Sequence, residues 1–330
     1  MSLESMTTSA TQKRIPSFDI MKGLAILLVI AGHVPGIPVW IKQWIYSFHI
    51  PLFFLLSGYF FKPALACKDA VKKSAERLLI PLAVTSAFIL LYGAAVAIKN
   101  DSWQPLVRHI AFTVFPSGVP AFSFLDENTV DGNTPLWFLW ALFWCQLSAI
   151  LLKRWGVPDY GIILFALLAL CLDKYLPTFP LALTEGCSAL LFFETGQLFA
   201  RNGAKPWLIA LCLCCWPIAF LFSKMDFMLS EYGFLPLDFL GACGGTLAIW
   251  KLSTLIGASS SRLGHALEWL GRNSMAVLCV HTLEKVGQLR GYCYIWKYWY
   301  IELPVRLLVI ILITIILSRI PFSRNTFKMT

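Results

Sequence analysis

Apolar stretches of about 17–22 residues, long enough to cross a bilayer as a helix, recur along this chain between short polar connections. They fall at 19–39, 44–62, 78–98, 135–152, 159–176, 182–200, 206–222, 233–251, 269–288 and 302–320. The pattern predicts an all-α, polytopic transmembrane helix bundle of about ten spans. An even count puts both termini on one side. Residues 1–17 and 321–330 read as tails and 18–320 as one membrane domain. The longest connection, roughly 99–134, carries Asp101, Asp126, Glu127 and Asp131 with Pro and Gly between them. It reads either as a lid over one mouth of the bundle or as a plain connector. The sequence shows no internal repeat.

Charge gives the bundle a direction. Lys and Arg in alternate connections divide 18 to 8, with Arg306 left over inside the last span. The richer set includes Lys13, Arg14, Lys22, the run Lys62 to Arg77, Lys153, Arg201, Arg272 and Arg324. The positive-inside rule assigns that set, and with it both termini, to the cytoplasm. A missed span would scramble the alternation downstream of it. The net charge of +9 therefore reads as topology, and no nucleic-acid partner is expected.

Composition agrees, with 58% hydrophobic and only 14% charged residues, 25 Phe and 13 Trp. The mean hydropathy is +0.70. Such a chain has too little polar surface for water, and its aromatic residues suit the headgroup belts. The ten cysteines lie largely in apolar runs and read as small packing residues. Cys212 and Cys215 have the spacing of a metal or redox pair, but no second pair or nearby His completes it, so no metal is expected. Met1 to Thr11 are polar, and no removable leader is expected.

Ionisable groups inside spans are costly and mark candidate sites. In the first span Lys22 and His33 stand 11 residues apart. That is close to three helical turns, so they share a face, about 16 Å apart along the axis. Lys22 reads either as a lysine reaching to the interface or as an anion contact. His33 reads either as an imidazole bonded between helices or as a base. His49 opens the second span, a short connection away, as an interfacial or functional residue. Ser57 and Gly58 read as close-packing residues. In the ninth span His281 and Glu284 share a face, where the carboxylate would fix the tautomer or form a structural pair. All three histidines fall in the outer half. Lys62, Lys68, Lys72, Lys73 and Arg77 before the third span either set topology or hold phosphates of a cytosolic cofactor.

Taken together, Asp19-Ile-Met-Lys22-Gly, Gly32-His33, Ser47-Phe-His49-Ile-Pro and Ser57-Gly58-Tyr59 resemble the membrane acyltransferase 3 family, its fucose 4-O-acetylase-like branch above all. Arg77-Leu-Leu-Ile-Pro81, Pro135-Leu-Trp137 and Gly271-Arg-Asn273-Ser274 through His281 fit later blocks, and the resemblance spans about 14–320. It implies a bacterial inner-membrane enzyme that moves an acyl group, often acetyl, from acyl-CoA on the cytoplasmic side to a hydroxyl of a surface saccharide or lipid-linked glycan. The family's basic-x10-His motif maps onto Lys22 and His33. Many relatives carry Arg where this chain has Lys22, and a further Arg pair is matched in part by Lys73 and Arg77. The expected catalytic residues are His33, His281 and Glu284. Lys22, Lys73 and Arg77 are expected to hold acetyl-CoA, and His49, Trp137 and Asp19 to meet the acceptor. The rival class is a transporter or flippase, or a serine-uptake-like membrane module on the same scaffold.

Overall fold

The computed structural model describes residues 15–62, 67–116, 135–173, 175, 179–229, 231–259, 261–286 and 298–329. They build an all-α membrane protein, and among them no strand forms. The first half comprises α1 (Pro16–Gly32), α2 (Val39–Tyr46), α3 (His49–Tyr59), α4 (Cys67–Lys99), α5 (Gln104–Val114) and α6 (Trp137–Arg154). Next come α7 (Asp159–Asp173), α8 (Leu183–Ser188), α9 (Leu190–Asn202), α10 (Pro206–Phe222) and α11 (Leu235–Ala258). The chain closes with α12 (Arg262–Arg272), α13 (Ser274–Val286), α14 (Trp299–Ser318) and α15 (Pro321–Thr326). Three of these, α4, α11 and α14, are long and apolar enough to cross a membrane by length and composition alone. The apolar segments Asp159–Leu172 and Pro206–Phe222 are shorter.

Every predicted span contains helix, but the 19–39 run leaves helix after Gly32 and three other runs hold a break. The 44–62 run divides at Ser47-Phe48, 182–200 at Ala189, and 269–288 at Asn273. Phe48, Ala189 and Asn273 are each fully buried. A break at membrane depth is tolerated where protein, not lipid, surrounds it. Asn273 shows how: its side-chain N–H donates to the Trp269 carbonyl at 2.9 Å, and its own carbonyl accepts from Val277 N–H at 3.0 Å.

Two of the predicted connecting or terminal segments hold helix. Part of the 99–134 connection is ordered as α5, which docks on α4 with His109 against Gly93. Residues 117–134 of that connection, like residues 1–14 of the N-terminal tail, lie outside the described residues. The C-terminal segment packs on the bundle. Pro321 starts α15, and Phe327 and Met329 beyond it are buried in the core.

The close contact of α1 with α12 positions the site. Gly23 and Gly271 lie where the two backbones meet. A Cβ on Gly271 would stand 1.7 Å from the Asp19 carbonyl oxygen, and one on Gly23 would stand 2.1 Å from that of Leu267. Only hydrogen at both positions lets the helices approach so closely. The same economy joins α3 to α9, where Gly58 faces the Phe193 carbonyl. Ser57 beside it accepts a hydrogen bond from Gln146 at 2.8 Å.

Candidate active site

An α-helix leaves its last carbonyls without intrahelical donors. At the end of α1 those acceptors find partners one after another. Backbone N–H groups of His33 and Val34 donate to Ile30 and Ala31 at 3.1 and 3.0 Å. The His33 ring turns back so that its Nδ1 lies 2.7 Å from the Val29 carbonyl. The Tyr46 hydroxyl approaches the Gly32 carbonyl at 3.5 Å. Arg306 Nη1, from α14, donates to the carbonyl of His33 itself at 3.1 Å. A cation at this end also complements the helix dipole.

The Val29 contact fixes the chemistry of His33. A carbonyl only accepts, so Nδ1 must carry the hydrogen, and Nε2 of the neutral ring is left with its lone pair. The ring is half-buried and meets His281 edge to face, with centroids 5.3 Å apart. His281 is fully buried on α13, and its Nδ1 lies 3.6 Å from Glu284 Oε2. Glu284 Oε1 forms an ion pair with Arg306 Nη2 at 3.0 Å. Arg306 Nε faces Glu302 Oε1, one turn earlier on α14, at 3.4 Å. His33, His281 and Glu284, predicted from three features of the sequence, thus converge. Arg306 and Glu302 complete the group and were missed. The signal was present as an arginine deep in an apolar run with a glutamate four residues before it, a pairing distance on a helix.

His49 lies nearby, 4% exposed, at the first position of α3. Its Nδ1 is 2.9 Å from the Ile45 carbonyl, so its Nε2 is likewise the open nitrogen. Tyr46 stands between the two imidazole positions, its ring centroid 5.0 Å from His49 and its hydroxyl at Gly32. The approach is tight, since a Cβ on Gly32 would meet Tyr46 Cε1 at 2.9 Å. Trp137 is buried in an aromatic group, stacked on Phe227 with centroids 6.3 Å apart and edge-on to Phe138.

The opposite end of α1 gathers charge. Lys22 Nζ donates to Asp19 Oδ1 at 2.9 Å, and Arg272 Nε lies 3.7 Å from Asp19 Oδ2. Asp19, expected at the acceptor, therefore sits with the basic residues, about 20 Å along the axis from His33. Lys73 and Arg77 are exposed on the first turns of α4, a helix that packs on α6 and α13. A second polar group lies between α6, α7 and α9. Lys153 binds Glu194 at 3.0 Å and also Gln197, while Arg201 joins Asp159 at 2.8 Å and approaches Glu194 at 3.5 Å. Glu194 is fully buried, and sequence reasoning had not singled it out.

The comparisons with known proteins bear on this arrangement. A family model described as an acyltransferase domain matches residues 15–321, nearly the whole chain. The chain belongs to the acyltransferase 3 family. Similar curated proteins are two named nodulation protein NolL. The one from Mesorhizobium japonicum is 30% identical over 158 residues, covering 44% of this chain and 37% of that protein. The one from Sinorhizobium fredii is 28% identical over 234 residues, covering 65% of this chain and 58% of that protein. The chain thus spans between about a third and three-fifths of the relatives' length. No solved structure matches it.

Proposed function

We propose that this acyltransferase 3 protein is a multi-pass O-acyltransferase of the bacterial inner membrane. In this reading it moves an acyl group, in the first instance acetyl, from acyl-CoA at the cytoplasmic face to a hydroxyl of a cell-surface saccharide or lipid-linked glycan. Ten spans, cytoplasmic tails at 1–17 and 321–330, and a place in the fucose 4-O-acetylase-like branch belong to the same reading. The observation that carries it is the His33 ring, tied through Nδ1 to Val29 so that Nε2 is open, at one end of a helix with Lys22 at the other.

The chemistry follows from the fixed tautomer. Nε2 of His33 takes the proton of the acceptor hydroxyl as its oxygen attacks the thioester carbonyl carbon. The C–S bond breaks, and the imidazolium returns the proton to the departing thiolate. His281, edge to face with His33, and Glu284 beside it orient the base or the acceptor. Lys22, Lys73 and Arg77, with Arg272, offer cationic contacts for the phosphates of the donor. Asp19 orients Lys22, while His49, Tyr46 and Trp137 line the acceptor side.

The test supplies [14C]acetyl-CoA to membrane vesicles that hold the protein and counts label in extracted glycans. His33→Ala is expected to abolish transfer while preserving the melting temperature and the stabilisation of the purified protein by acetyl-CoA. Undiminished transfer by His33→Ala sinks the assignment. An absence of stabilisation of the unaltered protein at high acetyl-CoA favours the transporter reading.

A further inference from the structure

The buried group around His281 is dense in charge. Glu284 and Glu302 present two carboxylates to one guanidinium, Arg306, which is 2% exposed. Lys285, the residue after Glu284, acts electrostatically on both His33 and His281. A buried arginine held only for stability would be expected to spend its donors on its counter-ions. Here the best-aligned donor, Nη1, goes instead to the main-chain carbonyl of His33, while Nε and Nη2 meet the carboxylates as ion pairs.

We infer that Arg306 is a positioning residue for the His33 base. The inference rests on the acyl-transfer reading and deepens it. The His33 ring is anchored within its own helix, to Val29, so the place of Nε2 in the bundle is the place where the end of α1 is held. Arg306 holds that end from α14 and, through Glu284, ties it to the helix that carries His281. Glu302, one turn back, aims the guanidinium. The three side chains set the distance between the two imidazoles and the direction of the open nitrogen. Arginine is needed because one planar fork reaches three acceptors at once, whereas a lysine ammonium reaches fewer and from one point. A displacement of about 1 Å at a reacting centre costs on the order of 100-fold in rate.

The experiment compares Arg306→Lys and Glu302→Gln with the unaltered protein, in vesicles given [14C]acetyl-CoA, with label counted in glycans. Arg306→Lys is expected to lower kcat by at least about tenfold. The KM for acetyl-CoA should stay within about twofold, because the donor phosphates bind about 16 Å away along α1. Glu302→Gln, which keeps shape and removes one anchor, is expected to lower kcat several-fold with KM unchanged. A folded Arg306→Lys protein with full kcat overturns the inference, as does a fall in kcat matched by an equal rise in KM, the mark of general loosening. Should Arg306→Lys fail to fold, Glu302→Gln decides by the same criteria. His33→Ala separates the two levels: if it transfers normally, acyl transfer by His33 falls. If it is inactive while Arg306→Lys has full kcat, only the role of Arg306 falls.

Discussion

His33 uses its two nitrogens differently. One completes the hydrogen bonding of its own helix end, and the other is left open. This part of the site was legible because an imidazole amid aliphatic residues stands out, as does a carboxylate one turn from a second imidazole. Arg306 was not. In the charge alternation it was merely the cation that belonged to neither side, and nothing in one dimension says which distant helix it meets. Its partners Glu284 and the His33 carbonyl lie 22 and 273 residues away in the chain. The expected cost of unpairing it is testable. Glu284→Leu would leave a buried guanidinium with one carboxylate, and removing one partner of such a pair destabilises by about 3–5 kcal/mol. Glu284→Gln, which keeps size and polarity, should cost less. Denaturant unfolding in detergent micelles measures the difference.

Among helices, composition located the runs but not the interruptions. Ser47 and His49 flank Phe48, and Ser188 precedes Ala189, but single small or polar residues like these also occur within helices, and the breaks themselves are buried. Yet His49 begins just after the first break, and the helix that carries His281 begins just after the break at Asn273. The α1–α12 contact tolerates no side chain. Gly271→Leu is expected to push the helices apart, lower the melting temperature and reduce transfer, at a cost of about 1–3 kcal/mol or more for overpacking. Outside the spans, burial of His109 against α4 lowers its pKa from the ordinary imidazole value, with Arg108 adding to the effect. The sign follows from linkage. The docked state prefers neutral His109, so α5 is held fully above about pH 6.5 and loses hold as the pH falls through that value. Protection factors across 104–114, corrected for the intrinsic pH dependence of amide exchange, should therefore fall between pH 7.5 and 5.5, and His109→Phe should remove that dependence.

For the molecule as a whole, sidedness is read from the alternation of Lys and Arg, which leaves Arg306 on neither side. Helix length is less informative, since among the described residues three helices are long and apolar enough to cross a membrane by length and composition. Substituted-cysteine labelling in intact cells tests the ten-span arrangement. Lys68→Cys is expected to resist a membrane-impermeant maleimide until the cells are opened, and Asp101→Cys to react from outside. Labelling of both from outside would remove the proposed sidedness.

The bond from Arg306 ends on a main-chain oxygen, and that has a consequence for engineering. It is indifferent to the side chain at position 33. In a His33→Gly protein the end of α1 keeps its anchor, and the Val29 carbonyl is left facing a space the size of the lost ring. Free imidazole in the medium would meet both an acceptor for one nitrogen and the reacting hydroxyl for the other. Partial restoration of label transfer by added imidazole, saturating with its concentration, is the expected outcome. The base would then be a replaceable part seated in a permanent socket.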